Sequence, residues 1–293
     1  MNLWMNRNFK PMLLKEIDKP FNSKDYIFEI KFDGIRSLIF VNNKDIKIQS
    51  RNNKDLTNLF PELGSLTKLV NKNVIFDGEI VAFDKNKDSF SKIQERLHLK
   101  DKNKIKKASS ENPVTFVAFD ILYENKNLIN KTLVERKKIL NKYEDTDDFI
   151  KTKIIDKNGI DLFKSVKKLN LEGIIAKRKD GKYYINKRTD DFIKIKNIQR
   201  DEFIIGGYEE KKNGILSIAI GEFIENQLYF VGKVTVHKNY KIYKEIFKQK
   251  KAKNPFYNFD EKINYITPTL TCHIEYLERT KNNHLRHPVI KDY

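Results

Sequence analysis

The chain has 293 residues, of which 39% are hydrophobic and 33% are charged, and its mean hydropathy is -0.63. This length accommodates one large or two medium domains. No apolar run approaches the roughly 20 residues that a membrane-spanning helix needs, and the first residues lack the apolar core of a secretory signal. We therefore expect a soluble, cytoplasmic protein without a membrane partner. The single cysteine, Cys272, excludes an internal disulfide and agrees with a reducing compartment.

The charge balance favours an anionic partner. Lysine and arginine number 58 against 40 aspartate and glutamate residues, which gives a net charge of +18 and an isoelectric point of about 9.6. A neutral small substrate does not require such an excess, whereas an extended polyphosphate such as nucleic acid does. The abundance of lysine, asparagine and isoleucine is also typical of an AT-rich genome, which raises the lysine content without any binding role. Nucleic acid is nevertheless the partner that the charge favours.

A lysine follows an alternating segment near the start of the chain. Apolar side chains alternate over residues 26–30, which places Glu29 and Lys31 on the opposite face of a predicted strand. Asp33-Gly34 predicts a tight turn before a second apolar strand at residues 38–41, so we expect a hairpin. Lys31 is then either a nucleophile, once it loses the proton that lysine holds to a pKa near about 10.4, or an ordinary strand lysine beside a turn.

Acidic residues interrupt two apolar segments. Phe76-Asp77-Gly78-Glu79 suggests an apolar strand broken by a carboxylate turn, and Glu172 opens an apolar strand that ends at Lys177. Burying a carboxylate without a partner costs several kcal/mol. Glu79 therefore predicts a nearby cation, metal ion or ligand hydroxyl, unless its turn is exposed. Phe119, in a third apolar strand, either lines a nucleotide base or packs in the core.

Several basic side chains are candidates for phosphate contacts. Lys194 and Lys196 share one face of a predicted strand and repel each other unless an anion such as a phosphate lies between them. Arg51 lies in a turn-forming segment and faces either a phosphate or solvent. The run of lysines over residues 100–107 is predicted to be a solvated loop, with contact to a phosphate backbone as the second interpretation.

The character of the chain changes near residues 197–200, where we place a linker. Before it, apolar strands alternate with predicted helices at residues 56–70, 90–99, 132–143 and 162–169. After it, short strands are predicted at residues 201–208, 215–224, 228–236 and 270–276, with a helix near 240–248. This pattern is typical of a small five-stranded barrel of the OB type. Cys272 and the nearby histidines match no standard zinc-ligand spacing.

Taken together, these motifs resemble those of the covalent nucleotidyltransferases, and more closely the ATP-dependent DNA ligases of the bacterial end-joining type. The similarity runs from Pro11-Met12-Leu13 to Arg286-His287-Pro288 and includes a Lys-x-Asp-Gly motif at Lys31. It implies an α+β fold of two domains. The first, over residues 1–198, is an adenylyltransferase domain with ATP-grasp-like mixed sheets and helices. The second, over residues 199–293, is an OB-fold barrel.

The resemblance also assigns site residues. Lys31 corresponds to the lysine that attacks the α-phosphate of ATP and carries AMP as a phosphoramidate. Residues that correspond to nucleotide contacts are Glu29, Ile30, Arg36, Arg51, Glu79, Phe119, Lys177, Arg188, Lys194 and Lys196. In this set Glu29 lies at the adenine edge and Phe119 stacks on adenine. The cations around the α-phosphate are Lys177, Lys194 and Lys196. Glu79 and Glu172 correspond to metal-binding acids, with Mg²⁺ expected and Mn²⁺ as the alternative.

The activity that the resemblance implies is the sealing of nicked duplex DNA in three steps. Lys31 takes AMP from ATP, AMP passes to a 5′-phosphate, and a 3′-hydroxyl displaces it. We expect a monomer, with end-joining proteins as further partners. The alternatives are an RNA ligase, a GTP-using capping enzyme, or a DNA-binding accessory protein with vestigial catalysis. The chain departs from the family in lacking a terminal Arg-x-Asp-Lys motif, so we expect self-adenylation to be the step most affected, with Lys281, Arg286 or Lys291 as substitutes.

Overall fold

The computed structural model describes residues 2–84 and 87–291. The chain divides into two compact units, the first ending at Lys196 and the second beginning at Asn197. The two units have separate sheets and separate apolar cores. In the described part of the chain, no helix is both long and apolar enough to cross a membrane.

The first unit contains two mixed sheets. Its strands are β1 (Leu13–Glu16), β2 (Tyr26–Ile30), β3 (Ile35–Val41), β4 (Ile46–Ser50), β5 (Val74–Asp84), β6 (Lys87–Asp88), β7 (Val114–Glu124), β8 (Phe149–Lys151), β9 (Ile155–Asp156), β10 (Gly173–Arg178) and β11 (Arg188–Lys196). One sheet has the order β1-β11-β10-β2-β9 and the other β4-β3-β5-β7-β8, with β6 paired to β5. Parallel pairs join β1 to β11 and β7 to β8, which makes both sheets mixed as predicted.

The helices of this unit lie where the sequence places them, with two differences. They are α1 (Phe90–Leu97), α2 (Lys102–Glu111), α3 (Leu133–Leu140) and α4 (Gly159–Lys168), and α3 begins with the capping box of Thr132 and Glu135. The helix predicted over residues 56–70 is instead two 3₁₀ helices, Thr57–Leu59 and Pro61–Lys68. The loop predicted over residues 100–107 is wrong, because Asp101 accepts a hydrogen bond from the Lys104 N–H and so caps α2.

The predicted hairpin around Asp33-Gly34 is also wrong. Strand β2 pairs with β9 and β10, whereas β3 pairs with β4 and β5, so the connection between them crosses from one sheet to the other. Gly34 allows the crossing, because a Cβ there would lie 2.1 Å from the carbonyl oxygen of Ile80. Turn chemistry predicts a change of direction but not the partner of each strand. The consequence is that Lys31 lies where the two sheets meet.

Asp77-Gly78 is not a turn either. Strand β5 continues through both residues, with shifts of register against β7 on either side of Asp77. Gly78 packs against the neighbouring strand so closely that a Cβ would lie 2.4 Å from the Phe116 ring. Asp77 remains fully buried because Arg36 and Tyr183 supply its partners. A buried carboxylate that is paired can therefore lie inside a strand.

An apolar layer holds the two sheets of the first unit against each other. Met12 and Phe192 from the sheet of β11 pack with Leu38 and Phe40 from the sheet of β3, and all four side chains are buried. Separate clusters cover the outer faces, one beneath the 3₁₀ helices and one beneath α4. Burial of each large apolar side chain contributes roughly 1.5–3 kcal/mol to stability. The layer therefore holds the two sheets firmly together, and with them the cleft that opens at its edge.

The second unit is a curled antiparallel sheet of the OB type, as predicted. Its elements are β12 (Gln199–Lys211), β13 (Ile215–Ile224), β14 (Gln227–Val236), α5 (Lys241–Lys248), β15 (Asn264–Tyr276) and β16 (Val289–Lys291), and the strand order is β14-β13-β12-β15-β16. Cys272 is buried here, and burial raises the pKa of its thiol to about 12. Arg286 pairs with Glu278, and Lys291 pairs with Glu275. Asp292 and Tyr293 lie outside the described residues.

Candidate active site

Two adjoining cavities open where the sheets of the first unit meet. Lys31, Arg36 and Glu79 line both of them. Of the other predicted site residues, Glu29, Ile30, Phe119 and Lys177 line the first cavity, and Arg51, Glu172, Arg188, Lys194 and Lys196 line the second. Residues from distant parts of the chain are thus brought together in one cleft. The second cavity carries more cations than carboxylates, which suits a phosphate-bearing ligand.

Lys31 follows the last residue of β2 and lies beside the first residue of β10. Its backbone N–H donates to the carbonyl oxygen of Gly173 (2.9 Å), which continues the β2–β10 pairing by one residue. The Nζ atom donates to Oε2 of Glu172 at 2.5 Å, and both side chains are partly exposed to the cavity. The predicted nucleophile and the predicted metal-binding acid are therefore in direct contact.

Glu29 is fully enclosed by cations. Lys177 Nζ donates to Oε2 of Glu29 at 2.6 Å, and Lys137 Nζ donates to Oε1. Lys137 also donates to the Thr152 hydroxyl (3.1 Å). Burial acts to raise the pKa of Glu29, but the two ammonium groups outweigh it and lower that pKa. Both carboxylate oxygens are occupied, so the side chain of Glu29 acts on this site through Lys177. Lys137 was missed because nothing in the sequence marks one helical lysine among many.

Arg36 is held by a second buried network. Its Nε and Nη2 atoms donate to the two carboxylate oxygens of Asp77 at 3.1 and 2.8 Å. Tyr183 donates its hydroxyl to Oδ2 of Asp77 (2.7 Å) and accepts the Met12 N–H (3.0 Å). The guanidinium carbon of Arg36 lies 5.4 Å from the centre of the Phe119 ring. Asp77 and Tyr183 were not predicted as site residues. For Asp77 the sequence did contain a signal, because it is an acidic residue inside an apolar segment.

Replacing Tyr183 by phenylalanine tests this network. We expect the free energy of unfolding to fall by about 1–3 kcal/mol, because the buried Met12 N–H loses its acceptor and Asp77 loses one donor. We also expect slower reaction at Lys31, because Arg36 loses part of its support. Urea unfolding and single-turnover rates measure the two effects. Tyr184→Phe is the control, since Tyr184 is exposed. Equal behaviour of the two variants would contradict the proposed support.

Two aromatic rings and the cation between them form part of the wall of the first cavity. Lys177 Nζ lies 4.2 Å from the centre of the Phe119 ring and 5.3 Å from that of Phe192. Burial lowers the pKa of Lys177, while Glu29 opposes that shift. Phe119 is only partly buried, so core packing does not account for its position. A partly exposed ring beside cations is suited to stacking on a planar base that carries phosphate.

Two carboxylates of the second cavity are suited to a divalent cation. Glu79 pairs in register with Arg36 across β3 and β5, and burial raises its pKa to about 8, while Lys31 and Arg36 act to lower it. Glu172 lines the same cavity. The described residues contain no group of three or more potential protein ligands. Two carboxylates, completed by phosphate oxygens and water, fit Mg²⁺, which usually keeps several waters when it binds with a nucleotide.

The anion expected between Lys194 and Lys196 belongs to the protein itself. Oε2 of Glu16 lies 2.8 Å from Nζ of Lys194, and Oε1 lies 3.0 Å from Nζ of Lys196. Strand β1 runs parallel to β11 with Glu16 opposite Lys194. Arg51 and Arg188 line the same cavity. The sequence contains no signal for Glu16. Its position depends on the pairing of β1, near the start of the first unit, with β11, at the end of that unit, and a local sequence pattern does not reveal such a pairing.

Comparisons with known proteins agree with this cleft. Residues 11–196 match the family described as "ATP dependent DNA ligase domain", and residues 209–293 match "ATP dependent DNA ligase C terminal region". The SPbeta prophage-derived DNA ligase-like protein LigB of Bacillus subtilis is 36% identical over 204 residues, which cover 69% of this chain and 72% of LigB. The multifunctional non-homologous end joining protein LigD of Mycolicibacterium smegmatis is 28% identical over 96% of this chain, which spans only 38% of LigD.

Solved structures give the same result. A mycobacterial DNA ligase D complexed with ATP and MES is 25% identical, with a TM-score of 0.61 and coverage of 97% of this chain and 95% of that one. A LigE DNA ligase has a TM-score of 0.66 at 17% identity over 97% of this chain and 98% of that one, a likeness of fold alone. Both units of the chain are thus matched by the same family. The chain belongs to the ATP-dependent DNA ligases and is of the LigD-like type.

Proposed function

We propose that this ligase seals nicks through a covalent AMP on Lys31. The observation that carries the proposal is the convergence of Lys31, Glu172 and the remaining predicted contacts in two adjoining cavities of one unit. In the first step the Nζ atom forms a bond to the α-phosphorus of ATP, the bond from that phosphorus to the bridging oxygen breaks, and pyrophosphate leaves. AMP then passes to a 5′-phosphate, and a 3′-hydroxyl displaces it.

The ion pair between Lys31 and Glu172 holds the nucleophilic amine in position. An ammonium cannot attack phosphorus, so Lys31 must lose a proton first. Oε2 of Glu172 lies 2.5 Å from this Nζ atom and is an acceptor within hydrogen-bond distance of that proton. Family membership implies ATP and a divalent cation, and Mg²⁺ at Glu79 and Glu172 would neutralise charge on the phosphates.

The two cavities divide the nucleotide between them. In the first, the Phe119 ring stacks on the adenine, and Lys177, held by Glu29 and 4.2 Å from the ring centre, binds the α-phosphate. In the second, Arg36, Lys194 and Lys196 bind phosphate oxygens, and Arg51 and Arg188 line the same cavity. The chemistry leaves the protein little covalent work beyond the nucleophile, so these fixed cations supply most of the acceleration.

The partner is nicked duplex DNA, as for other DNA ligases. The net charge of +18 supports binding to a phosphate backbone. We propose further that the ligase acts as a monomer in the cytoplasm, where a single buried thiol stays reduced. LigD relatives carry end joining in their names, and we propose that this chain acts on DNA breaks together with end-joining proteins.

Labelling with nucleotide tests the proposal. The purified chain is incubated with ATP or GTP labelled at the α-phosphate and Mg²⁺, and then denatured. We expect an acid-labile label from ATP alone, and ATP-dependent sealing of a nick whose 3′-hydroxyl strand is DNA. Pyrophosphate should remove the label, because it reverses the first step. A label from GTP, or sealing only when that strand is RNA, would replace the proposal by an RNA ligase or a capping-type enzyme.

A further inference from the structure

Glu16 occupies the position between two phosphate-binding lysines. Its two carboxylate oxygens are divided between them, one at 2.8 Å from Lys194 and the other at 3.0 Å from Lys196. A carboxylate that bridges two ammonium groups in this way resembles a phosphate in charge and in the spacing of its oxygens. The bridge leaves the pair of lysines with one net positive charge where there would otherwise be two.

The backbone fixes this arrangement. The parallel pairing of β1 with β11 sets Glu16 opposite Lys194, and the N–H of Ile17 donates to the Lys194 carbonyl (3.2 Å). Lys196 follows two residues later and therefore lies on the same face of β11. Burial alone would raise the pKa of Glu16, but the two lysines lower it, so the carboxylate is ionised at neutral pH. The bridge is thus a property of strand register rather than of a flexible surface side chain.

The bridge is nevertheless displaceable. The side chain of Glu16 is 37% exposed, and those of Lys194 and Lys196 are 23% and 26% exposed. Ion pairs at such exposure are weak because water screens them. A triphosphate carries more charge than a carboxylate and can take over both lysines. Glu16 would then be repelled by the phosphates and turn toward solvent.

We propose that Glu16 sets the affinity for ATP by competing with its phosphates for Lys194 and Lys196. The inference rests on the proposed function, because it needs these two lysines to bind phosphate. Removing the charge of Glu16 should strengthen binding of ATP and of pyrophosphate, since neither ligand would then have to displace a carboxylate. Glu16 is thus a specificity-determining residue for the charged part of the nucleotide.

Binding measurements on Glu16→Gln test the inference. The substitution is made in a full-length Lys31→Ala background, so that ATP binds without reacting, and titration calorimetry measures ATP and adenosine separately. We expect the Kd for ATP to fall about fivefold, the size of effect typical of one partly exposed ion pair. The Kd for adenosine should stay unchanged, because adenosine has no phosphate. With Lys31 intact, Glu16→Gln should form the labelled adduct at lower ATP and be inhibited by less pyrophosphate.

A matched control lies on the same pair of strands. Lys15 on β1 forms an ion pair with Asp190 on β11, outside both cavities. Asp190→Asn also removes one carboxylate from this sheet, and it should leave the Kd for ATP unchanged. An unchanged or weaker affinity for ATP in Glu16→Gln would overturn the inference, while labelling by the intact chain would still support the proposed function. Equal tightening of ATP and adenosine would also overturn it, since it would indicate a general change of the cleft.

Discussion

Replacing Lys31 by alanine should abolish the covalent AMP and reduce ATP-dependent sealing by about 10⁴-fold or more, because no other group replaces the nucleophile. The Nζ atom lies in contact with Glu172 and lines both cavities, so it is the amine best placed to attack a nucleotide bound there. Label retained after denaturation measures the first step, and a gel assay of a nicked duplex measures the whole reaction.

Two controls separate the loss of the nucleophile from other effects. Lys31→Arg keeps a cation beside Glu172 but is expected to carry no AMP, because a guanidinium is never deprotonated in proteins. Lys19→Ala removes an exposed lysine outside the cleft and should label normally. Lys31→Ala should still seal a nick that already carries AMP on its 5′-phosphate, because that step needs no lysine nucleophile. Label on the Lys31→Ala chain would contradict the assignment of the nucleophile.

Replacing Arg136 by methionine should cost about 3–5 kcal/mol of the free energy of unfolding, the largest stability effect that we predict. Arg136 and Asp120 are both fully buried and form two hydrogen bonds, of 2.7 and 2.9 Å. Arg136 also donates to the carbonyl oxygens of Lys131 and Gly181. Without the guanidinium, Asp120 is a buried charge without its cation. Urea unfolding followed by circular dichroism measures the loss.

A matched pair of variants tests the cause. Lys107→Met breaks an ion pair with Glu111 whose side chains are 73% and 59% exposed, and it should cost less than about 1 kcal/mol. The double variant Arg136→Met with Asp120→Leu should be more stable than Arg136→Met alone, because it removes the uncompensated charge. A double variant no more stable than the single one would show that packing, rather than charge, accounts for the loss.

Local patterns predicted much of the fold because they concern neighbouring residues. Alternation over residues 26–30 and 191–196 marked β2 and β11, and the helix predicted over residues 132–143 is α3. The two-domain α+β class, with its OB-type second unit, followed from the change in strand spacing and from the family resemblance. The site residues could be predicted because each motif is recognisable by itself. The fold then brings them together in one cleft.

The features that the sequence did not predict depend on contacts between residues distant in the chain. Asp33-Gly34 predicted a hairpin, but β2 pairs with β9 and β10, both distant in the chain. The lysine run over residues 100–107 predicted a solvated loop, yet α2 lies there with Asp101 as its N-cap. Glu16, Lys137 and Tyr183 reach the site only through pairings of this kind. A charge pattern alone does not identify which cations are free to bind a substrate.

Helix α3 joins the two walls of the cleft through consecutive residues. Arg136 binds Asp120 on β7, which belongs to one sheet, and Lys137 binds Glu29 on β2, which belongs to the other. The capping box at Thr132 stabilises the first turn of the same short helix. Fraying of that turn would weaken both contacts at once, so the two walls are coupled through one short helix. Substitutions on a solvent-facing helix end can thereby change nucleotide affinity without touching the nucleotide.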